Sequence, residues 1–370
     1  MTAMCSQLSF FIQCSSNKNS HQEPYNQKHH FAKIKGTKSS NMEILSQDHD
    51  PTFHSVNPVA ENLHFLEEHI RQNIPKIKQS FDPYRLGMFV NEGLEYRQNV
   101  VIRSNEVGPD KTMTVESILN LLQETALNHV WLTGLMRQFG TTAGMIRNNL
   151  IWVVSRMQVQ VDHYPIWGEV IEIDTWVGSS GKNGMRRDWL LRSQATGLEL
   201  ARGTSTWAMM NKHTRRLSKM PDDVRAEISP WFIEKQEIEE SSNEMEKVNS
   251  DNASYVNSDL KAKRSDLDMN HHVNNVMYVK WMLETIPEDF LENHQLSDIS
   301  IEYRRECGKS DVLQSLCKPQ ENGQIGMNGN QVLQFSYNHL LHIKNNTKNG
   351  EIVRAKTTWK KKLASLSLGH

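Results

Sequence analysis

The sequence predicts an α+β chain made of two copies of one module, each a long helix laid against an antiparallel sheet. Three observations carry this. In each half a helical segment is followed by alternating strands, an acidic stretch poor in apolar residues separates the halves, and a short motif recurs at the same place in both. A length of 370 residues accommodates two domains of about 100–200 residues each.

Met1 to Met42 is rich in Ser, Asn, Gln, His and Lys, with Glu23 as its single acid, and cannot bury enough apolar surface to offset chain entropy. It reads as an organellar transit peptide, although the expected arginines are missing, or as an ordinary disordered tail. A short amphipathic helix is expected at Asn62 to Ile70, and residues 1–83 as a whole are assigned to leader and linker. The first module is expected over 84–233. Leu94 to Arg103 alternates as a strand, Pro109 and Asp110 turn the chain, and Thr114 caps a helix from Val115 to about Met136. Val115, Ile118, Leu119, Leu122, Ala126 and Val130 recur on one face of that helix. Strands follow at Leu150 to Val161, Val170 to Gly178, Met185 to Ser193 and Glu199 to Met210, punctuated by Tyr164-Pro165, Ser179-Ser180-Gly181 and Thr196-Gly197. Neither a βαβ alternation nor a glycine-rich phosphate loop occurs, which leaves nucleotide-binding folds unsupported.

Glu234 to Asp259 is acidic and Ser/Asn-rich, and is read as the linker. The second module, 260–370, is predicted as a helix from about Asn274 to Ile286 and strands near Ile299 to Glu306, Val312 to Cys317, Leu333 to Ile343 and Ile352 to Lys360. The recurring motif is Ala201-Arg202-Gly203-Thr204-Ser205-Thr206-Trp207 against Val353-Arg354-Ala355-Lys356-Thr357-Thr358-Trp359. A tandem duplication packed as a pseudo-dimer follows.

Charge and composition exclude several function classes. With 42 Lys+Arg against 43 Asp+Glu the net charge is −1, without the cationic surplus a nucleic-acid partner demands. No segment approaches the ~18 consecutive apolar residues of a membrane-spanning helix. The four cysteines, Cys5, Cys14, Cys307 and Cys317, form no CxxC, and the sixteen histidines form no HExxH. No metal, cofactor or disulfide framework is expected.

The densest polar cluster is Asp266-Leu267-Asp268-Met269-Asn270-His271-His272-Val273-Asn274-Asn275, directly before the second helix. One or two such residues are accounted for by helix capping. The rest, with two adjacent histidines, suit a functional site, since a helix N-terminus supplies donors for a developing oxyanion. Tyr303-Arg304-Arg305-Glu306-Cys307 is the second candidate, in which Glu306 is either functional or a salt-bridged surface acid.

Together with Asn149-Leu150-Ile151-Trp152-Val153-Val154-Ser155-Arg156-Met157 and Gly181-Lys182-Asn183-Gly184-Met185-Arg186-Arg187-Asp188-Trp189, these two clusters resemble the plant acyl-acyl carrier protein (acyl-ACP) thioesterases. The resemblance runs from about Tyr84 to Lys361. Glu124-Thr125-Ala126-Leu127-Asn128-His129-Val130 and Met210-Asn211-Lys212 bring it nearer the class B, FatB type. The resemblance implies a double hotdog fold and hydrolysis of fatty acyl thioesters on acyl carrier protein. It also implies residence in the plastid stroma. The catalytic set it implies is Asp268, Asn270, His272 and Glu306, with Cys307 a secondary candidate.

These residue types suit the reaction. An imidazole, titrating near ~6.5, is largely neutral in a mildly alkaline compartment and can accept a proton. Glu306 could orient or deprotonate water, the Asn270 amide could polarise the carbonyl, and Asp268 either fixes these groups or attacks to form a transient anhydride. The resemblance implies an acyl tunnel in the first module, with Leu119, Leu122, Met136, Met145, Ile151, Met157 and Trp176 as lining residues or else ordinary core, and an acidic carrier meeting Arg186, Arg187, Arg215, Arg216 and Lys219, which otherwise read as solvated surface. The chain departs from the family pattern at His271, where Gln is usual, and at Lys280, where Gly is usual. An acyl-CoA hydrolase of the hotdog class and a noncatalytic carrier-binding paralogue are the alternatives; a homodimer is left open.

Overall fold

The structure, a computed structural model, describes residues 81–82, 85–137, 140–239, 245–268, 272–308, 310–320, 334–344 and 350–362. The expected leader, the helix at 62–70, and both Asn270 and His271 lie outside them.

The strands are β1 (Phe81–Asp82), β2 (Gly87–Val90), β3 (Glu95–Val101), β4 (Leu150–Val161), β5 (Val170–Ser180), β6 (Gly184–Ser193), β7 (Glu199–Asn211), β8 (Leu217–Ser218), β9 (Tyr255–Leu260), β10 (His294–Tyr303), β11 (Leu313–Gln320), β12 (Gln334–Ile343) and β13 (Glu351–Lys361). The helices are α1 (Val115–Leu132), α2 (Ala143–Arg147), α3 (Asp222–Ile228), α4 (Asn275–Leu283) and α5 (Glu288–Asn293). One antiparallel sheet runs in the order β1-β2-β3-β5-β6-β7-β4-β10-β13-β12-β11-β9, with β8 on β7.

That order is a palindrome about β4 and β10. Outward from this seam the first half reads β4-β7-β6-β5-β3 and the second β10-β13-β12-β11-β9, the same sequence of corresponding strands. Gln160 to Arg156 pair with Asp298 to Glu302 across the seam, where Gln158 Nε2 donates to Asp298 Oδ2 at 2.8 Å. The recurring motif occupies matching places. Trp207 Nε1 donates to Ser205 Oγ at 2.7 Å, and Trp359 Nε1 to Thr357 Oγ1 at 2.8 Å.

Each half wraps its sheet around one helix. Thr114 Oγ1 accepts from Ser117 N at 3.2 Å, capping α1, and Val115, Ile118, Leu119 and Leu122 are buried on the sheet side. The fit is close: a Cβ on Gly203 of β7 would stand 3.1 Å from Leu122 Cδ1, so even an alanine there would require the Leu122 side chain to give way. In the second half the Asn274 side chain accepts from Val276 N at 3.0 Å, and α4 buries Val276, Val279, Met282 and Leu283. Both helices contact each other and contribute to one hydrophobic cluster. Fully burying each such aliphatic side chain is worth about 1.5–3 kcal/mol, which fixes the halves as a single unit.

Several boundaries differ from expectation: the strand expected at Ile299 to Glu306 is β10, His294–Tyr303, which leaves Glu306 beyond the strand end, and α4 stops at Leu283 rather than Ile286. Helix α1 ends at Leu132 rather than near Met136, because Gly134 takes a left-handed φ of +70° and closes the C-terminus. The stretch read as linker ends in β9, which pairs with β11 at the sheet edge. This strand is half exposed and carries Asn257, Ser258 and Asp259 at its centre, as an edge strand tolerates, so the acidic, Ser/Asn-rich composition around it disguised it.

His339 in β12 is 2% exposed, with Nε2 hydrogen-bonded to Thr357 Oγ1 at 2.9 Å, and burial pulls its pKa down to about 3. The unfolded chain therefore binds this proton first. Stability is full above the ordinary ~6.5 and falls as pH drops from there toward the folded value. His129, buried in the first half, acts in the same direction. We expect the unfolding free energy, followed by urea titration from pH 7 to 4, to decline less steeply in His339→Gln than in the native chain; parallel curves would refute the assignment.

Candidate active site

Within the polar cluster, Leu267 and Val273 form an antiparallel bridge, and Asn274 follows directly as the cap of α4. Asp268 N donates to His272 O at 2.7 Å, and His272 N donates to Asp268 Oδ1 at 2.9 Å. The Asp268 carboxylate thus pins the backbone of His272. His272 Nδ1 stands 4.0 Å from Glu306 Oε1, and the other Glu306 oxygen accepts from Arg215 Nη2. His272 and Glu306 are about one-third exposed, at 35% and 37% of the side chain.

These groups open on a cavity of about 1200 Å³. Its apolar wall combines Ala126, Leu127 and Val130 of α1 with Ile151, Trp152 and Val153 of β4 and with Trp207 and Met210 of β7, while Asp268, His272, Tyr278 and Glu306 come from the second half. Apolar walls with a few convergent polar groups are the usual form of a small-molecule site. A buried polar group also borders it: Arg187 Nη1 lies 3.1 Å from His129 Nδ1 and 3.1 Å from Thr175 Oγ1. Burial pulls both titrations down, and the Arg187 charge adds to the effect on His129.

Cys307 is 7% exposed and does not border the cavity. Its Sγ is 3.5 Å from the Tyr278 hydroxyl, which also accepts from Cys307 N at 3.3 Å. Burial raises its pKa, so the thiol is held protonated and is a poor nucleophile.

The duplication shows why only one half carries this set. Arg304 N and Arg305 N both donate to Ile352 O, and Asp162 N and His163 N both donate to Leu200 O, which puts Tyr164 in the first half where Glu306 stands in the second. Likewise Gly108 N donates to Thr112 O at 2.8 Å, matching Asp268 and His272, so Gly108 and Thr112 replace the carboxylate and the imidazole. The Tyr164 hydroxyl donates to Leu296 O at 3.0 Å, and only about 210 Å³ remains there.

Several expectations need correction. Of the seven residues expected along the acyl chain, Met145 and Ile151 border the cavity; Leu119, Leu122, Met136, Met157 and Trp176 do not. Leu119 and Leu122 face the sheet, and the cavity follows the adjacent stripe of the same helix, through Gln123, Ala126, Leu127 and Val130. Met157 belongs to the hydrophobic cluster, Met136 lies past the helix end, and Trp176 is buried with its Nε1 on Lys235 O. Arg186 and Arg187 are 5% and 3% exposed and cannot form a docking face. Arg186 is held by Asp188, and Arg187 faces His129. Arg215 is held by Glu306, which leaves Arg216 and Lys219 as the exposed cations of the expected patch. Lys280 lies on the solvent side of α4, its Nζ 3.8 Å from Glu284, away from the cavity.

Sequence reasoning missed Tyr278, Lys212 and the His129–Arg187 pair as cavity groups. Tyr278 was hidden in an apolar helix. The neighbouring Arg186-Arg187 pair read as surface charge because nothing local reveals a buried strand face.

Models of the acyl-ACP thioesterase N-terminal and C-terminal domains match residues 93–228 and 249–361. The chain belongs to the acyl-ACP thioesterase family. The palmitoyl-acyl carrier protein thioesterase of Gossypium hirsutum, described as chloroplastic, is 49% identical over 288 residues, 77% of this chain and 68% of that one. Its counterpart in Arabidopsis thaliana is 48% identical over 292 residues, 78% and 69% of the two chains. Among solved structures, the 12:0-ACP thioesterase of Umbellularia californica superposes with a TM-score of 0.67 at 40% identity, covering 74% of this chain and 96% of that one. This acyl-ACP thioesterase is of the FatB type, with two hotdog modules, as its sequence suggested.

Proposed function

We propose that the chain hydrolyses fatty acyl thioesters on acyl carrier protein through His272 and Glu306, with the acyl group in the 1200 Å³ cavity. The enzyme acts in the plastid on acyl-ACP, where releasing the free acid ends chain elongation. One observation carries the assignment of residues: an imidazole and a carboxylate 4.0 Å apart at the wall of an apolar cavity built from both halves.

The chemistry follows from that placement. A water between the imidazole and Glu306 loses its proton as it attacks the thioester carbon; the pair accepts that proton and delivers one to the departing thiol, whose low basicity makes this the easier step. Asp268 fixes the His272 backbone and thereby the ring's approach. Backbone N–H groups entering α4, with the Asn270 amide, stabilise the oxyanion. This division of work favours attack by water over attack by Asp268, since the Asp268 carboxylate is already engaged with the loop.

The carrier is proposed to dock where Lys212, Arg216 and Lys219 are exposed beside Leu217, itself 71% exposed, at the turn that borders the cavity. Both halves of one chain supply the site, so a second copy contributes no residue the reading requires.

The test uses the full chain on a ladder of acyl-ACP from eight to eighteen carbons beside the same acyl groups on coenzyme A. Higher kcat/KM on the carrier-bound series, falling as salt rises, is expected. Equal turnover of both series, insensitive to salt, would assign the chain to acyl-CoA hydrolysis instead, and no turnover of either would make it a binding paralogue.

A further inference from the structure

We infer that Arg215 is a positioning residue for the hydrolysis, supplied by the first half to hold the Glu306 carboxylate of the second. The inference rests on the reading of Glu306 given above. Three observations converge on it.

The first is the contact. The Arg215 guanidinium reaches across the boundary between modules and donates Nη2 to Glu306 Oε2, leaving Oε1 turned toward the His272 ring. Both Arg215 and Glu306 border the cavity. A carboxylate with one oxygen fixed by a charge-assisted hydrogen bond presents the other in a single direction, which a freely rotating surface acid would not.

The second is the backbone. Arg215 has a φ of +55°, the left-handed region where a turn ordinarily takes glycine or asparagine. A long side chain in that conformation is sterically disfavoured, and such outliers persist where the side chain is needed.

The third is the turn that supports it. Asn211 N donates to Arg216 O and Arg215 N donates to Asn211 O, both at 2.9 Å, while Asn211 Oδ1 accepts from His213 N and Thr214 N. Lys212 N donates to Asn149 O at 2.8 Å, tying the turn to the start of β4. The base of the arginine is therefore held by backbone bonds, and the side chain begins from a fixed point.

Its neighbours Arg216 and Lys219 are exposed and can serve the carrier. Arg215, by contrast, acts on the reacting groups through Glu306 whether or not a carrier is present. That difference gives the test. Arg215→Gln, Arg215→Lys, Glu306→Gln, the double variant Arg215→Gln/Glu306→Gln and the docking control Arg216→Glu/Lys219→Glu are assayed on one acyl-ACP and on the same acyl group as its N-acetylcysteamine thioester. Folding is checked by thermal unfolding, which loss of a partly exposed ion pair scarcely moves.

The expected result is a fall in kcat of about 100-fold for Arg215→Gln on both substrates, the size a mispositioned reacting group produces. Arg215→Lys should recover part of it, since an ammonium keeps the charge but not the fork. The double variant should be no slower than Glu306→Gln alone. The docking control should raise KM on the carrier substrate and leave the small thioester untouched.

An unchanged kcat on the small thioester in Arg215→Gln, with KM raised only for the carrier substrate, would make Arg215 a docking residue and overturn the inference. Additive losses in the double variant would overturn it as well, by showing that Arg215 acts independently of Glu306. Full activity of Glu306→Gln would instead remove the reading of Glu306, a separate outcome from either.

Discussion

Replacing His272 with alanine is expected to lower kcat on acyl-ACP by about 10²–10⁴-fold, the range that loss of a positioned acid–base group produces. KM should change little, because the imidazole occupies a small part of the wall of a large cavity. Glu306→Gln should fall in the same range: the amide keeps shape and one acceptor but cannot take a proton from water or draw the same charge-assisted bond from Arg215. The two losses should not add, since the groups act as a unit. Cys307→Ser supplies the contrast. The thiol is buried against Tyr278, so this variant should keep most of the activity and lose at most some stability. Steady-state kinetics on purified variants decide the matter. Full turnover by His272→Ala, or its abolition in a folded Cys307→Ser, would defeat the assignment.

Asp188→Ala should lower stability more than any of these substitutions, by about 3–5 kcal/mol. Asp188 is 0% exposed, and its carboxylate accepts from Arg186 Nε at 2.7 Å. Arg186 is itself 5% exposed and donates Nη2 to Lys235 O at 2.8 Å. Removing the acid leaves a buried guanidinium without its counter-charge, and deleting one member of such a pair costs far more than the pair contributes. Arg187, directly beside it, also loses the opposite charge that offsets its burial. The consequence reaches the cavity, because Arg187 and His129 border it. Asp188→Asn, which keeps an acceptor, should recover a substantial part of the loss. Urea unfolding of the three proteins at pH 7 measures this, and a loss under ~1 kcal/mol in Asp188→Ala would show that the strand relaxes to hydrate Arg186.

Much of the fold was legible because its signals are local. Thr114 before an apolar stripe marked the start of α1, and the predicted Leu150 to Val161 coincides with β4. The Arg/Thr/Trp echo announced the duplication, and Trp207 and Trp359 repeat the same hydrogen bond two residues back. Where expectation failed, the deciding contact was distant in sequence. Edge strand β9 mixes Asn257, Ser258 and Asp259 with its apolar residues, has no clear alternation, and gains its identity from β11. Arg186 and Arg187 looked like solvated charge, yet their strand lies between β5 and β7, inside the sheet and beneath other chain segments.

The candidate site divides in the same way. The run from Asp266 to Asn275 stood out because its polar density exceeds what capping a single helix requires, and Glu306 stood out through family resemblance. That Arg215 joins them could not be read from the chain, since the arginine and Glu306 lie 91 positions apart. Helical periodicity placed α1 against something apolar, but could not say which stripe faces sheet and which faces cavity; Leu122 meets Gly203, whereas Ala126 and Val130 line the space.

The amino-acid sequence by itself determined the module, its repetition and the loop that carries the imidazole, because caps, turns and apolar periods act over a few residues and need no distant partner. Only the tertiary structure decided which charges are buried, which carboxylate each arginine holds and where the acyl cavity runs. Those outcomes depend on close packing of segments far apart along the chain, and packing at a seam such as β4 against β10 leaves no mark in the local pattern of either strand.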